Sequence, residues 1–250
     1  MTTYGTYLAL GELLELQRPL STGPEHDEML FIVIHQSYEL WFKQILHELR
    51  HLKDLLKQRS LAKGQHTMKR ILVILKVLVA KVDILETMTP LEFLSFRGLL
   101  DGASGFQSSQ FRELEFLLGY RRPQLLENFQ GTDLERTRLQ QTLSESSLWE
   151  TFLGFLRDGG YAVEDSLGSS LVNQAIFQQI YRSSPEIAEF CERLVDLDEG
   201  LQEWRYRHVK MVQRTIGAKM GTGGSSGVEY LMKTISAPLF PDLWEIRSQF

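Results

Sequence analysis

The chain has 250 residues, of which 43% are apolar and 24% charged, and a formal charge of -5. That balance describes a soluble globular protein with ample chain for one sizeable core. The net negative charge excludes a general surface for nucleic acid or anionic membrane. The most apolar span, 71–85, is broken by Lys76, Lys81 and Asp83 and is too short to cross a bilayer. A single cysteine, Cys191, allows no disulfide framework, so a reducing, cytoplasmic setting is expected. The opening MTTYGTYLAL has no basic region before an apolar run, so no signal peptide is expected.

Residues 1–22 hold Tyr4, Tyr7, Leu8, Leu10, Leu13 and Leu14 and turn at Pro19, which reads as an N-terminal arm. Its tyrosines either pack on their own domain or anchor on a neighbouring subunit. A long helix is expected over about 24–59, with Pro24 in its first turn. Glu25, Asp27 and Glu28 stand at its positive end, and Lys53, Lys57 and Arg59 near its negative end. Residues 29–34 are apolar on every side, so this turn is expected to be buried all round. His35 follows, with Phe31 one turn earlier on the same face and Tyr38 and Phe42 continuing the line.

A second helix is expected over about 65–88, stopping before Pro90 because a residue preceding proline disfavours helical geometry. Pro90 opens a short helix, LEFLSFRGLL, ended by Asp101 and Gly102. Arg97 is the only cation in that run, between Phe93 and Leu100. A buried guanidinium needs an anion. Asp101 or the helix's own terminal carbonyls satisfy that need, and so does a carboxylate ligand held by two parallel hydrogen bonds.

Another amphipathic helix, QFRELEFLL, follows the turn at Ser104-Gly105-Phe106-Gln107. Shorter helices are expected around 125–129, 134–143 and 149–156, punctuated by Gly159-Gly160 and Gly168-Ser169-Ser170. Ser184-Pro185-Glu186 is expected to cap a second long helix. Along it Ile187, Phe190, Leu194, Leu197, Leu201, Trp204, His208, Met211, Val212 and Thr215 recur at steps of three and four. His208 therefore lies on an apolar seam, as a satisfied core histidine or as a ligand. GTGGSSG, 221–227, comes next, then a short helix over 228–235 and the tail LFPDLWEI. No strand alternation and no fixed repeat appear. The expectation is an all-α helical bundle with long core helices, a single domain over 1–250.

Three constellations carry possible chemistry. His47-Glu48-Leu49-Arg50-His51 matches H-E-x-x-H, the spacing of a zinc protease helix. Its face also carries Lys43, Gln44, Asp54 and Gln58, so it is solvated, whereas the apolar stripe runs through Tyr38, Ile45, Leu49, Leu52 and Leu56. The glycine loop follows a helix and lacks the Gly-Lys of a phosphate-binding loop, which argues against a nucleotide site. Its glycines permit close approach to a ligand, or simply link two helices. His208, His35, Phe31, Arg97 and Thr222 together suit a cofactor pocket in a bundle, with one histidine available to a haem iron and the other opposite.

FIVIHQSYELWFKQ, SGFQSSQFRELEFLLG, DLDEGLQEWRYRHVKMVQRTIGAKMGTGGSSGVEYL and the opening TYGTYL are long, specific blocks. On these the chain resembles the tryptophan 2,3-dioxygenases over nearly its whole length, most weakly over 160–183. The resemblance implies a helical homotetramer with one haem b per subunit that cleaves the indole C2–C3 bond of L-tryptophan with O₂, giving N-formylkynurenine. It implies His208 as the iron ligand, His35 as the residue facing the indole N–H, Phe31 as a wall of the indole pocket and Arg97 as the carboxylate partner. Thr222 corresponds to a loop residue at the substrate's amino-acid end, and Ser104 and Gly105 to the strip beside the haem propionates. Tyr4, Tyr7 and Leu8 correspond to residues lent by a neighbouring subunit. Phe93 stands by the substrate where some relatives have tyrosine, so one hydroxyl near the carboxylate is missing. An indole monooxygenase of the same fold and a non-catalytic haem sensor are the alternatives.

Overall fold

A computed structural model describes residues 1–100, 107–127, 129–166, 168–217, 219, 232, 235 and 237–250. Among them there is no strand. The helices are α1 (Tyr4–Tyr7), α2 (Leu10–Leu13), α3 (His26–Lys57), α4 (Leu61–Leu85) and α5 (Pro90–Arg97), followed by α6 (Ser109–Leu118) and α7 (Asp133–Ser144). Then come α8 (Leu148–Asp158), α9 (Leu171–Ser183), α10 (Pro185–Ile216) and α11 (Pro241–Glu245). The all-α expectation holds. α9, which lies beyond the three shorter helices expected from the sequence, is capped by the Ser170 hydroxyl on the Asn173 N–H.

Three long helices form the frame, with α4 packed against both α3 and α10. α4 begins at Leu61, four residues before the expected start at 65. The reversal is made at Arg59, which adopts a left-handed φ of 57°, and Ser60 N–H donates back to the Leu55 carbonyl at 2.8 Å. Gly64 belongs to this early turn because a Cβ there would stand 3.3 Å from Leu52 Cδ1. The same logic operates at Gly200, where a Cβ would come within 2.8 Å of Leu75. A Cβ at Gly200 would require Leu75 to turn aside, so α4 and α10 pack closely at this point.

Two local differences have clear causes. Ser184 does not cap α10 with its side chain; its hydroxyl meets the Tyr161 hydroxyl at 2.7 Å instead. The expected helix around 125–129 is a single 3-10 turn, Pro123–Leu126, and Arg136 takes the Leu126 and Phe129 carbonyls at 2.6 Å each. A third difference is larger. The 29–34 turn is not buried all round: Met29 and Val33 are 43% and 45% exposed, and Ile34 alone is fully buried. α5 packs on one side of α3 there, with Leu85 of α4 and Met211 of α10 in the same apolar cluster as Ile34, and no described element covers Met29 and Val33 on the other.

The main core runs from Phe42 along α3 and through α4, α6, α8 and α10. A satellite cluster of Ile34, Leu85, Met88 and Phe96 caps one end, with Phe31, Phe93 and Met211 packed on it. Tyr38 touches both clusters, and its hydroxyl donates to the Leu78 carbonyl at 2.8 Å. The C-terminal tail is docked on α10 through Asp198, which is fully buried. Its Oδ2 accepts the N–H groups of Leu239 and Phe240 and the indole N–H of Trp244 at 2.8, 3.2 and 2.9 Å. Asp198→Ala leaves two buried donors and one half-buried donor unpaired, so it is expected to cost about 3 kcal/mol in urea unfolding, whereas Asp198→Asn costs less.

Candidate functional site

The site lies where the satellite cluster meets the main core. α3 presents Phe31 and His35 one turn apart, with ring centroids 4.1 Å apart. His35 Nδ1 lies 2.7 Å from the Phe31 carbonyl oxygen. A carbonyl only accepts, so Nδ1 carries the proton and Nε2 keeps its lone pair. Burial holds the His35 pKa below the usual imidazole value, against the raising effect of that carbonyl and of Glu39. His35 is therefore a neutral ring with one acceptor nitrogen to offer.

α10 supplies the second imidazole. His208 stacks almost flat on Trp204, with centroids 5.3 Å apart and planes inclined by 7°. Trp204 is itself wedged by Phe111 at 4.8 Å, Phe42 at 6.1 Å and Tyr38 at 6.3 Å. The His208 ring keeps some accessible surface, yet loss of water lowers its pKa to about 4, with the fields of His35 and Arg112 pushing the same way. No described residue hydrogen-bonds this ring. A neutral imidazole whose lone pair is not taken up by any described residue can serve as a metal ligand.

The remaining wall is aromatic. Phe93 and Phe96 of α5 stand 5.8 and 5.6 Å from Phe31. Arg97 ends the same helix, half-buried, one turn beyond Phe93. Beside the imidazoles lies a cluster that the sequence did not announce. Glu115, 2% exposed, takes Arg112 at 2.6 Å, Arg122 at 3.0 Å and Arg205 at 3.1 Å. Arg205 sits three residues before His208, so this carboxylate also ties α10 to α6. Charged residues in the seam's flanks were the only signal for it.

Phe31, His35, Phe93 and His208 are thus brought to one end of the bundle, with Arg97 closing α5 beside them. Ser104, Gly105 and Thr222 lie outside the described residues, as do Asp101 and the loop 221–227. Of the expected helix 228–235 only Met232 and Ile235 are described, and both are helical. Tyr4, Tyr7 and Leu8 are not at the site of their own chain; they are 77%, 78% and 40% exposed. The H-E-x-x-H stretch is spent on structure. His47 and His51 are exposed, while Glu48 is buried and held by Arg70 at 2.9 and 3.1 Å and by Gln44 at 2.7 Å. A glutamate so engaged is not available as a base.

Fold and site together define an all-α protein built around two neutral imidazoles in an aromatic enclosure. The sequence model of the family described as Tryptophan 2,3-dioxygenase matches residues 1–158 and 161–250. A tryptophan 2,3-dioxygenase of Herpetosiphon aurantiacus is 57% identical over 98% of this chain and 97% of its own length. One from an Anaeromyxobacter species is 49% identical over 98% and 95%, and one from an Arthrobacter species 39% over 99% and 91%. The chain belongs to the tryptophan 2,3-dioxygenase family. Among the described residues no helix is long and apolar enough to cross a membrane.

Proposed function

We propose that the chain is a haem-dependent dioxygenase that adds both atoms of O₂ across the indole C2–C3 bond of L-tryptophan, giving N-formylkynurenine. The observation that carries the reading is the His208 ring: neutral, backed by Trp204, and unbonded by any described residue. The donor set fits haem b. His208 would hold the iron, and the buried Arg112 and Arg205 provide the positive surroundings that suit two carboxylates. Bound haem supplies the oxygen chemistry. The protein's part is orientation.

His35 Nε2, the free acceptor, is suited to receive the indole N–H. Its depressed basicity favours holding that proton in a hydrogen bond over removing it. Phe31, Phe93 and Phe96 wall the ring. Arg97 is assigned to the carboxylate, Thr222 to the amino-acid end, and Ser104 and Gly105 to the haem edge. With the far end of the substrate fixed, C2 and C3 are held in place for reaction.

The same reading makes the protein a cytoplasmic homotetramer of single-domain subunits, each with 1–22 as an arm. Tyr4, Tyr7 and Leu8 enter a neighbouring subunit's site, and their exposure in the single chain supports this. The buried, lone Cys191 suits a reducing compartment.

The test is to add L-tryptophan to the reduced, red protein in air and follow the absorbance of N-formylkynurenine, using ¹⁸O₂. Product with two labelled oxygens is expected. An oxygenated indole with its ring intact, or a spectral change without product, overturns the proposal.

A further inference from the structure

We infer that Glu28 is a positioning residue that aims the N-terminal arm, an inference that rests on reading the arm as a lent part of the neighbour's site. Among the described elements α1 and α2 contact only each other. A segment so isolated has no direction of its own, so direction must come from its root. That root is gripped at two places on α3. Gln36 accepts from Gln17 Nε2 at 2.6 Å and donates to the Leu16 carbonyl at 3.1 Å. Glu28, only 2% exposed, accepts the backbone N–H groups of Leu20 at 2.6 Å and Ser21 at 3.0 Å, and also the Ser21 hydroxyl.

The two grips differ in strength. The glutamine pair is neutral and partly exposed. Glu28 is a carboxylate covered by the segment it binds, and its hydrogen bonds, being to a charged group, are stronger than those of the neutral pair. Residues 20 and 21 therefore cannot swing away without giving up three hydrogen bonds to one carboxylate. The hydrogen bonds also hold its pKa down, although burial opposes them. The Ser21 oxygen in turn accepts the Glu25 N–H at 2.8 Å, tying the root to the start of α3.

Position gives the grip its consequence. Glu28 and His35 are seven residues apart on one helix, two turns along the same face. The element that holds the arm's root is therefore the element that carries Phe31 and His35. In a symmetric assembly this relation recurs in every copy. Fixing the root against one site then fixes the tyrosine tip against the next.

A double-mutant cycle in the haem-loaded protein tests this, combining Glu28→Gln with deletion of residues 1–8. Glu28→Gln is expected to raise KM for L-tryptophan about tenfold, with haem per subunit unchanged and kcat within about twofold. The deletion should raise KM at least as far, and the combination should add nothing to it. Loss of haem in Glu28→Gln, or a further KM rise on top of the deletion, shows a general structural role and overturns the inference. A deletion that raises KM beside a Glu28→Gln that does not also overturns it, with the lent arm intact. A deletion without effect removes the lent arm and this inference together. Should Glu28→Gln fail to fold, Ser21→Ala decides. It leaves the carboxylate two backbone donors and is expected to raise KM by about two- to threefold only when the arm is present. An unchanged KM in Ser21→Ala then overturns the inference.

Discussion

His208→Ala is expected to purify almost colourless, with its Soret absorbance cut to about a tenth or less and no turnover of L-tryptophan. The ring does little to hold the fold together. No described residue takes a hydrogen bond from it or gives one to it, so its removal strands no partner among the described residues. Its stacking on Trp204 is lost, but Trp204 stays wedged by Phe111, Phe42 and Tyr38. The stability loss should therefore stay within the ordinary range of about 0.5–3 kcal/mol. Helical circular dichroism should survive while haem does not. Imidazole added to the variant at millimolar concentration should restore part of the Soret band, because the missing ligand is small and its bed remains. Full haem content in His208→Ala would move the iron ligand elsewhere and end the functional reading.

Why that ring was legible in the sequence, and its neighbours less so, follows from the range of the forces involved. The seam from Ile187 to Thr215 is a periodic pattern in one helix, so the face of His208 is fixed by local geometry. Phe31 and His35 are placed by the same rule, and the Thr89–Glu92 capping box marks the start of α5 from four residues. Glu28 was legible only as an acid favourable to a helix N-terminus. Its actual partners lie on an irregular segment seven and eight residues upstream, and no periodicity points to them. Glu115 is a harder case. Its partner Arg205 is 90 residues away, and only the packing of α6 on α10 makes one carboxylate serve three guanidinium groups.

The exposed turn of α3 failed for a related reason. An apolar run states that water is disfavoured, but not whether the cover comes from the same chain. Met29 and Val33 are uncovered by described residues of their own chain, and Leu40 continues that face at 54% exposure. Pattern alone reads such a stripe as core. A surface meant for another copy of the chain has the same signature.

Arg97→Leu is expected to raise KM for L-tryptophan by a factor of about 30 or more, the equivalent of about 2–5 kcal/mol for cutting one partner from a buried charged pair. The alternative was already visible in the sequence. A cation in the last turn of a helix is favoured by the terminal carbonyls alone, and Arg97 occupies the last turn of α5. Steady-state kinetics with two substrates separate these roles. Tryptamine has the indole and the amine of tryptophan but no carboxylate. If Arg97 binds the carboxylate, Arg97→Leu lowers kcat/KM for L-tryptophan steeply and leaves that for tryptamine nearly unchanged. If Arg97 only caps α5, both substrates suffer alike or neither does. Arg97→Lys should fall between, since an ammonium keeps the charge but cannot make two parallel hydrogen bonds. The wall behind Arg97 sharpens the contrast. Phe93, Phe31 and Phe96 offer the amino-acid end no polar side chain, so if Arg97 is the carboxylate's partner these three neighbours cannot replace it.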